Sequence, residues 1–169
     1  MSRTNYPARK RSDASPFGGT VWAGTGTADE QSFANGDYYT PLRAEDANGD
    51  PVDDYVQFTG VALRTGTIAF AIRYAMGGGE AADVRLRIDK KIGAVGDNPT
   101  TALTSGTAFT ITTSNDVLEH NVTSANSANL SVAVTAGDRL TMRITRLASS
   151  GGGLDTHGSE FRVLELIAT

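Results

Sequence analysis

The stretch that decides the fold reads Asp83-Val84-Arg85-Leu86-Arg87-Ile88-Asp89. Apolar and charged side chains alternate at every position, so an extended chain carries Val84, Leu86 and Ile88 on one face and the charges on the other. A period of two with one apolar face is typical of an antiparallel strand with one side against a core. The stretch therefore predicts a half-buried β-strand.

The same alternation recurs along the chain from residue 61 onward. Turn-forming stretches rich in Gly, Asn, Asp and Pro separate the alternating runs, and seven to nine short strands of this kind predict a sandwich. The last run, 161–167, also predicts a strand, but its apolar residues allow either the odd-numbered or the even-numbered side chains to face the core. The other predicted inward positions are Ile68, Phe70, Ile72 and Tyr74; Phe109 and Ile111; Leu130, Val132 and Val134; and Leu140, Met142 and Ile144.

The predicted fold is an all-β, antiparallel, jelly-roll-like β-sandwich with an extended N-terminal arm. Residues 1–19 form the arm, because prolines, glycines and a basic run give no strand or helix period. Residues 20–169 form a single domain, a length that suits one core. Within it, 20–22 and 38–42 are candidate strands, and Pro41 places the second at a sheet edge.

Charge divides the chain into a basic arm and an acidic body. Residues 1–15 carry a net charge of +3, and the remaining residues carry −7. The predicted contacts of the arm with an acidic or polar partner surface are Arg3, Arg9, Lys10 and Arg11.

Arginine outnumbers lysine on the predicted polar faces of the strands. The chain has 12 Arg and 3 Lys, and arginine is enriched at protein interfaces because its planar guanidinium stacks and makes bidentate contacts. The alternative is an ordinary solvated face. The candidate subunit-interface residues are Arg85, Arg87, Arg139, Arg143 and Arg146.

Nothing in the sequence predicts an enzyme, a cofactor or a metal centre. The chain has no cysteine and two histidines, His120 and His157, which do not make a zinc-ligand spacing. Residues 155–160 contain Asp, His and Ser, but triad members usually come from separate segments, so His157 is interpreted as a polar loop or interface residue. The acidic loop from Asp46 to Asp54 offers carboxylates to calcium, but it lacks the EF-hand spacing and is interpreted as an acidic turn.

Two classes of partner are disfavoured. The acidic body with one Trp argues against nucleic-acid binding. No apolar run reaches the roughly 18 residues of a membrane helix, so no membrane partner is expected.

The last third of the chain carries a resemblance. Gly137-Asp138 precedes the strand Arg139-Leu140-Thr141-Met142-Arg143-Ile144-Thr145-Arg146; a glycine-rich loop, Asp155-Thr156-His157-Gly158-Ser159-Glu160 and a final apolar strand follow. This order resembles the closing segment of β-sandwich domains in structural proteins of tailed-phage virions. The resemblance extends over roughly residues 60–167, and in it Arg143 and Arg146 match positions with a structural role.

The resemblance implies a virion protein made in the host cytoplasm, usually a homo-oligomer and often a trimer. Such proteins occur as capsid decorations, head fibres and tail-fibre tips. The short arm favours a decoration protein on the capsid exterior, bound to the major capsid protein or another virion protein. The alternative is a tail-fibre, receptor-binding or carbohydrate-binding module, whose aromatic platform would be Trp22, Tyr38, Tyr39 and Tyr55.

Overall fold

The computed structural model describes residues 31, 32, 34, 38–45, 53–94, 96–98, 100–147 and 155–168. The arm and Trp22 lie outside these residues, as do residues 46–52 of the acidic loop. In chain order the elements are β1 (Gln31–Ser32), β2 (Tyr38–Leu42), β3 (Tyr55–Val61), β4 (Gly66–Met76), β5 (Asp83–Gly93), β6 (Phe109–Thr112), β7 (His120–Val122), a 3-10 turn (Ala128–Leu130), β8 (Ser131–Val134), β9 (Arg139–Arg146) and β10 (Phe161–Ala168).

The strands form two antiparallel sheets that pack as a sandwich, which confirms the predicted fold class. Sheet one runs in the order β1-β2-β10-β4-β7, and β8 pairs with the first half of β4, at Gly66–Ala69. Sheet two runs in the order β3-β9-β5-β6. All strand pairings are antiparallel within the described residues.

The core lies between the inner faces of the two sheets. Every inward position predicted before residue 161 is buried, with Phe109 partly buried at its rim. Each fully buried aliphatic or aromatic side chain contributes about 1.5–3 kcal/mol, so the period-2 faces provide the main stabilisation of the fold. Val84, Leu86 and Ile88, from the stretch that predicted the sheet, are each 0% exposed.

Strand β10 resolves the ambiguity in the last run by means of a β-bulge. Phe161 and Val163 point into the core, and the register with β4 then shifts between Val163 and Glu165. Because Leu164 is the extra residue, Glu165 pairs with Arg73, and their side chains form an ion pair of 2.6 Å. The bulge thus places the buried Glu165 carboxylate on the face of Arg73 and not on the inner face.

The position of Pro41 is compatible with a strand edge. Strand β2 lies between β1 and β10, but β1 pairs only with Tyr38 and Tyr39. Opposite Pro41, β2 pairs with Arg162 of β10, and among the described residues it has no partner on its other side. At Pro41 one side of β2 is therefore a sheet edge within the described residues, a position where proline is tolerated.

Candidate functional site

The outer face of sheet two gathers four of the five arginines predicted on polar strand faces. Strand register places Arg143 between Gln57 on β3 and Asp89 on β5. Arg87 and Arg139 lie on the same outward side, and Arg85 occupies the corresponding position toward the other end of β5. All four side chains are exposed or half-buried.

Arg143 is held in place by its neighbours on β3. Its guanidinium carbon lies 4.4 Å from the centre of the Tyr55 ring, a cation–π contact. Its Nη2 donates a hydrogen bond of 3.2 Å to Gln57 Oε1. Its Nε is buried and has no hydrogen-bond partner among the described residues. The side chain is therefore oriented while part of its donor capacity stays unused.

A pocket of about 640 Å³ opens on this face. Its second wall is formed by residues 97–98 and 101–103, and Lys91 fixes this wall by donating from Nζ to Asn98 O at 3.0 Å and Thr101 O at 2.8 Å. We call this the outer pocket. Its polar lining consists of Gln57, Arg87, Asp89, Lys91, Asp97, Asn98, Thr101, Ser105, Arg139, Thr141 and Arg143.

The floor of the outer pocket contains a buried carboxylate. Asp89, only 3% exposed, accepts hydrogen bonds at Oδ1 from Arg87 Nε at 2.9 Å and Gly106 N at 3.1 Å. Gly106 packs so closely that an added Cβ would lie 2.1 Å from Ile88 O. The chain after the pocket wall is thus fixed to β5 by backbone contact.

Arg146 corrects the sequence interpretation, which placed it with solvent-facing arginines. It is 1% exposed, because position 146 has the parity of Leu140, Met142 and Ile144 and points inward. Its Nε and Nη2 donate to the two oxygens of Asp155 at 2.9 and 2.7 Å. The remaining hydrogen bonds go to carbonyl oxygens of Leu42, His157 and Ser159. A side chain used in this way is not available to a partner subunit.

The other side chains of the Asp155–Glu160 segment also make contacts within the chain. Thr156 Oγ1 accepts a hydrogen bond from Asp83 N at 3.0 Å. The His157 side chain is 0% exposed, and its Nδ1 accepts from Ser159 N at 3.1 Å and lies 3.0 Å from Glu80 Oε1. Burial lowers the pKa of His157, and Arg146 adds to this effect against the opposing charges of Glu80 and Asp155. The contacts of this histidine are therefore structural.

A second pocket, of about 670 Å³, lies beside this segment. Glu160 accepts from Arg43 Nε at 3.1 Å and from Arg162 Nε at 3.3 Å. Burial acts to raise the pKa of Glu160, but the hydrogen bonds from the two arginines outweigh it and hold the pKa below its ordinary value. The charges around this pocket are therefore largely paired with one another.

The predicted aromatic platform is not assembled by the described residues. Tyr39 is 7% exposed, and the Arg162 guanidinium carbon lies 4.9 Å from its ring centre. Tyr55 is half-buried, with Arg143 over its ring. Tyr39 is therefore a buried residue rather than an open sugar platform, while Trp22 and the Tyr38 side chain lie outside the described part.

The acidic loop is described only at its end. Asp54 is 8% exposed, and its Oδ2 accepts from Arg43 N at 3.0 Å. In the described ranges no three His, Cys, Asp or Glu side chains are grouped so that they could hold a metal ion. Nor does any helix there have the length and apolar character needed to cross a membrane.

Comparison with known protein families and sequences gives no match that would assign a function. No protein-family model matches the chain, and no curated protein sequence matches it.

Proposed function

We propose that this chain is a non-enzymatic structural protein of a tailed-phage virion, a capsid decoration protein that forms homo-oligomers and binds the outer capsid surface. The observation that supports the proposal best is the set of Arg85, Arg87, Arg139 and Arg143 on one outward face of a rigid sheet. Interfaces are enriched in arginine because the guanidinium stacks and makes bidentate hydrogen bonds in partly desolvated surroundings.

The contacts of residues 155–160 support the same proposal. Asp155 and His157, the residues that most resemble a hydrolase triad, are buried and bonded within the chain. A catalytic nucleophile and base need access to substrate, whereas these groups fix one end of the sandwich. In the proposed function this segment supplies rigidity.

The mechanism is mechanical. A standard protein interface buries about 1,600 Å² in total, and an oligomer that contacts several capsid subunits at once gains avidity from each modest contact. The basic arm, with Arg3, Arg9, Lys10 and Arg11, adds an electrostatic contact to an acidic shell.

The test is copy number on virions followed by binding to purified capsids. Hundreds of copies that co-purify with heads support the proposal, whereas a few copies on tails overturn it in favour of a tail component. Deletion of residues 1–15 is expected to weaken capsid binding with a reduced dependence on salt. Unchanged affinity would remove the arm from the mechanism.

A variant of the sandwich face tests the supporting observation. Arg85→Gln with Arg87→Gln is expected to weaken capsid binding or oligomer formation. The matched control is Arg64→Gln, which removes an exposed arginine from the turn between β3 and β4.

The receptor-binding or carbohydrate-binding alternative is favoured by one observation, the outer pocket.

A further inference from the structure

We propose that the outer pocket binds an acidic oligosaccharide, a chain of sugars that carry carboxylates. This inference goes beyond capsid binding and does not depend on it. It rests on the charge of the pocket, the orientation of Arg143, and the mixture of cationic and hydroxyl-binding groups in its lining.

The charge of the pocket is opposite to that of the whole chain. Its lining contains the cations Arg87, Lys91, Arg139 and Arg143 and the carboxylates Asp89 and Asp97, a formal excess of two positive charges. The whole chain carries −4. A concave surface with an excess of one sign of charge concentrates ligands of the opposite sign, so an anion is the expected ligand.

Internal pairing leaves two of these cations to meet the ligand. Arg87 is bonded to Asp89, and Lys91 is bonded to backbone carbonyls. Arg139 is exposed, and Arg143 is half-buried, lines the pocket and has Nη2 bonded to Gln57. Guanidinium groups bind carboxylates through two parallel hydrogen bonds. The two arginines are therefore the predicted carboxylate contacts.

The spacing of the two arginines favours an extended ligand. They lie four residues apart on β9, on the same face, so their Cα atoms are roughly 13 Å apart at a rise of about 3.3 Å per residue. Thr141, between them, adds a hydroxyl to the lining. An oligomer with repeated carboxylates can contact both arginines along the strand.

The carboxylates and hydroxyls of the lining favour a sugar over a simple anion. Asp97 is exposed, and besides the hydrogen bond that its Oδ2 accepts from Ala94 N, its carboxylate can accept hydrogen bonds from sugar hydroxyls. Asn98, Thr101 and Ser105 supply further donors and acceptors. No aromatic ring lines this pocket in the described part of the chain, so a nucleotide base would lack a stacking surface there.

The pocket is preformed, which reduces the entropic cost of binding. Tyr55 and Gln57 fix Arg143, and the bonds of Lys91 fix the wall at Asn98 and Thr101. Its volume, about 640 Å³, lies within the range of small-ligand sites, roughly 300–1,000 Å³.

Titration calorimetry on the full chain tests the proposal with trigalacturonic acid as the probe. The comparison probes are neutral maltotriose, sodium phosphate and a hexaglutamate peptide. Binding of trigalacturonic acid that exceeds binding of all three supports the proposal. Absence of its binding, equal binding of maltotriose or phosphate, or tighter binding of hexaglutamate would overturn it, and the last result would make the pocket a docking site for an acidic peptide.

Variants localise the binding. Arg139→Gln changes an exposed side chain and is expected to weaken binding about tenfold or more, as is Arg143→Gln, through loss of a charge-assisted contact. Arg64→Gln, the control, is expected to stay within about twofold because distant exposed charges are screened. Equal effects of all three substitutions, with unchanged thermal unfolding, would overturn the proposed site. The assay contains no capsid, so its outcome is separate from that of the decoration proposal.

Discussion

Arg146 and Asp155 form a bidentate ion pair in which each side chain is only 1% exposed. The arginine ends β9, and the aspartate lies in the segment 155–160 that precedes β10. Asp155 Oδ2 also accepts from Arg85 N at 3.0 Å, and Arg146 Nη1 reaches Leu42 O on β2 at 3.1 Å. One ion pair therefore joins the two sheets at one end of the sandwich.

Removal of either partner is expected to destabilise the fold strongly. Asp155→Asn or Arg146→Met leaves an uncompensated buried group, which costs about 3–5 kcal/mol. Chemical denaturation gives the free energy of unfolding, and Arg64→Met is the exposed control. A loss below about 1 kcal/mol, the value of a surface pair, would contradict the structural role of the ion pair.

Gly106→Ala is expected to destabilise the protein by about 1–3 kcal/mol or more, the cost of overpacking. The added Cβ would lie 2.1 Å from Ile88 O and 2.3 Å from Asn129 Nδ2. Gly158→Ala is the matched control, because its Cβ would make an ordinary contact of 3.7 Å with Glu80. Similar midpoints of thermal unfolding for the two variants would contradict this prediction, because they would show that the backbone near Gly106 shifts at little cost in stability.

Deletion of Leu164 is expected to leave cooperative folding intact. Without the extra residue of the bulge, Glu165 would follow Val163 directly and, by alternation, would still face outward opposite Arg73 with its ion pair retained. Arg73→Met is the contrasting variant, because it removes this ion pair from the buried Glu165 carboxylate and is expected to be the more destabilising change. Circular dichroism during heating compares the two variants, and loss of the sharp transition in the deletion variant would contradict this account.

The buried histidine makes stability depend on pH. The pKa of His157 is lowered in the folded state, chiefly by burial, so below about pH 6.5 the unfolded chain binds a proton that the folded chain does not. The free energy of unfolding is therefore expected to fall as the pH drops from about 6.5 toward the lowered pKa. In His157→Asn this slope should be reduced. Denaturation curves between about pH 5 and pH 8 measure it, and an identical slope in the variant would contradict the assignment.

The sequence predicted the core well because period 2 depends only on local geometry. Val84, Leu86 and Ile88 are buried as their alternation requires. The prediction that Arg146 faces outward is wrong, because its position two residues after Ile144 puts it on the inner face despite its charge. Its partner Asp155 lies beyond a glycine-rich loop, and no local pattern records such a contact.

The outer pocket was beyond sequence reasoning for a different reason. The sequence predicts Arg139 and Arg143 as surface arginines on one face of β9, because residues an even number of positions apart share a face of a strand. The opposite wall, at residues 97–98 and 101–103, depends on hydrogen bonds between side chains and the main chain. Lys91 Nζ donates to Asn98 O and Thr101 O, and Gly106 N donates to Asp89 Oδ1. Tyr55 was singled out as a sugar platform, and its contact with Arg143 follows from the pairing of β3 with β9.

The central place of β10 in sheet one affects how the protein assembles. This strand is the last in chain order, yet it pairs with β2 on one side and β4 on the other. While a ribosome is still making residues 161–168, both neighbours present open edges that can pair with other chains. Until these residues are available to pair, a nascent chain is therefore prone to aggregation through β2 and β4, and a chaperone that shields the two strands would act in that interval.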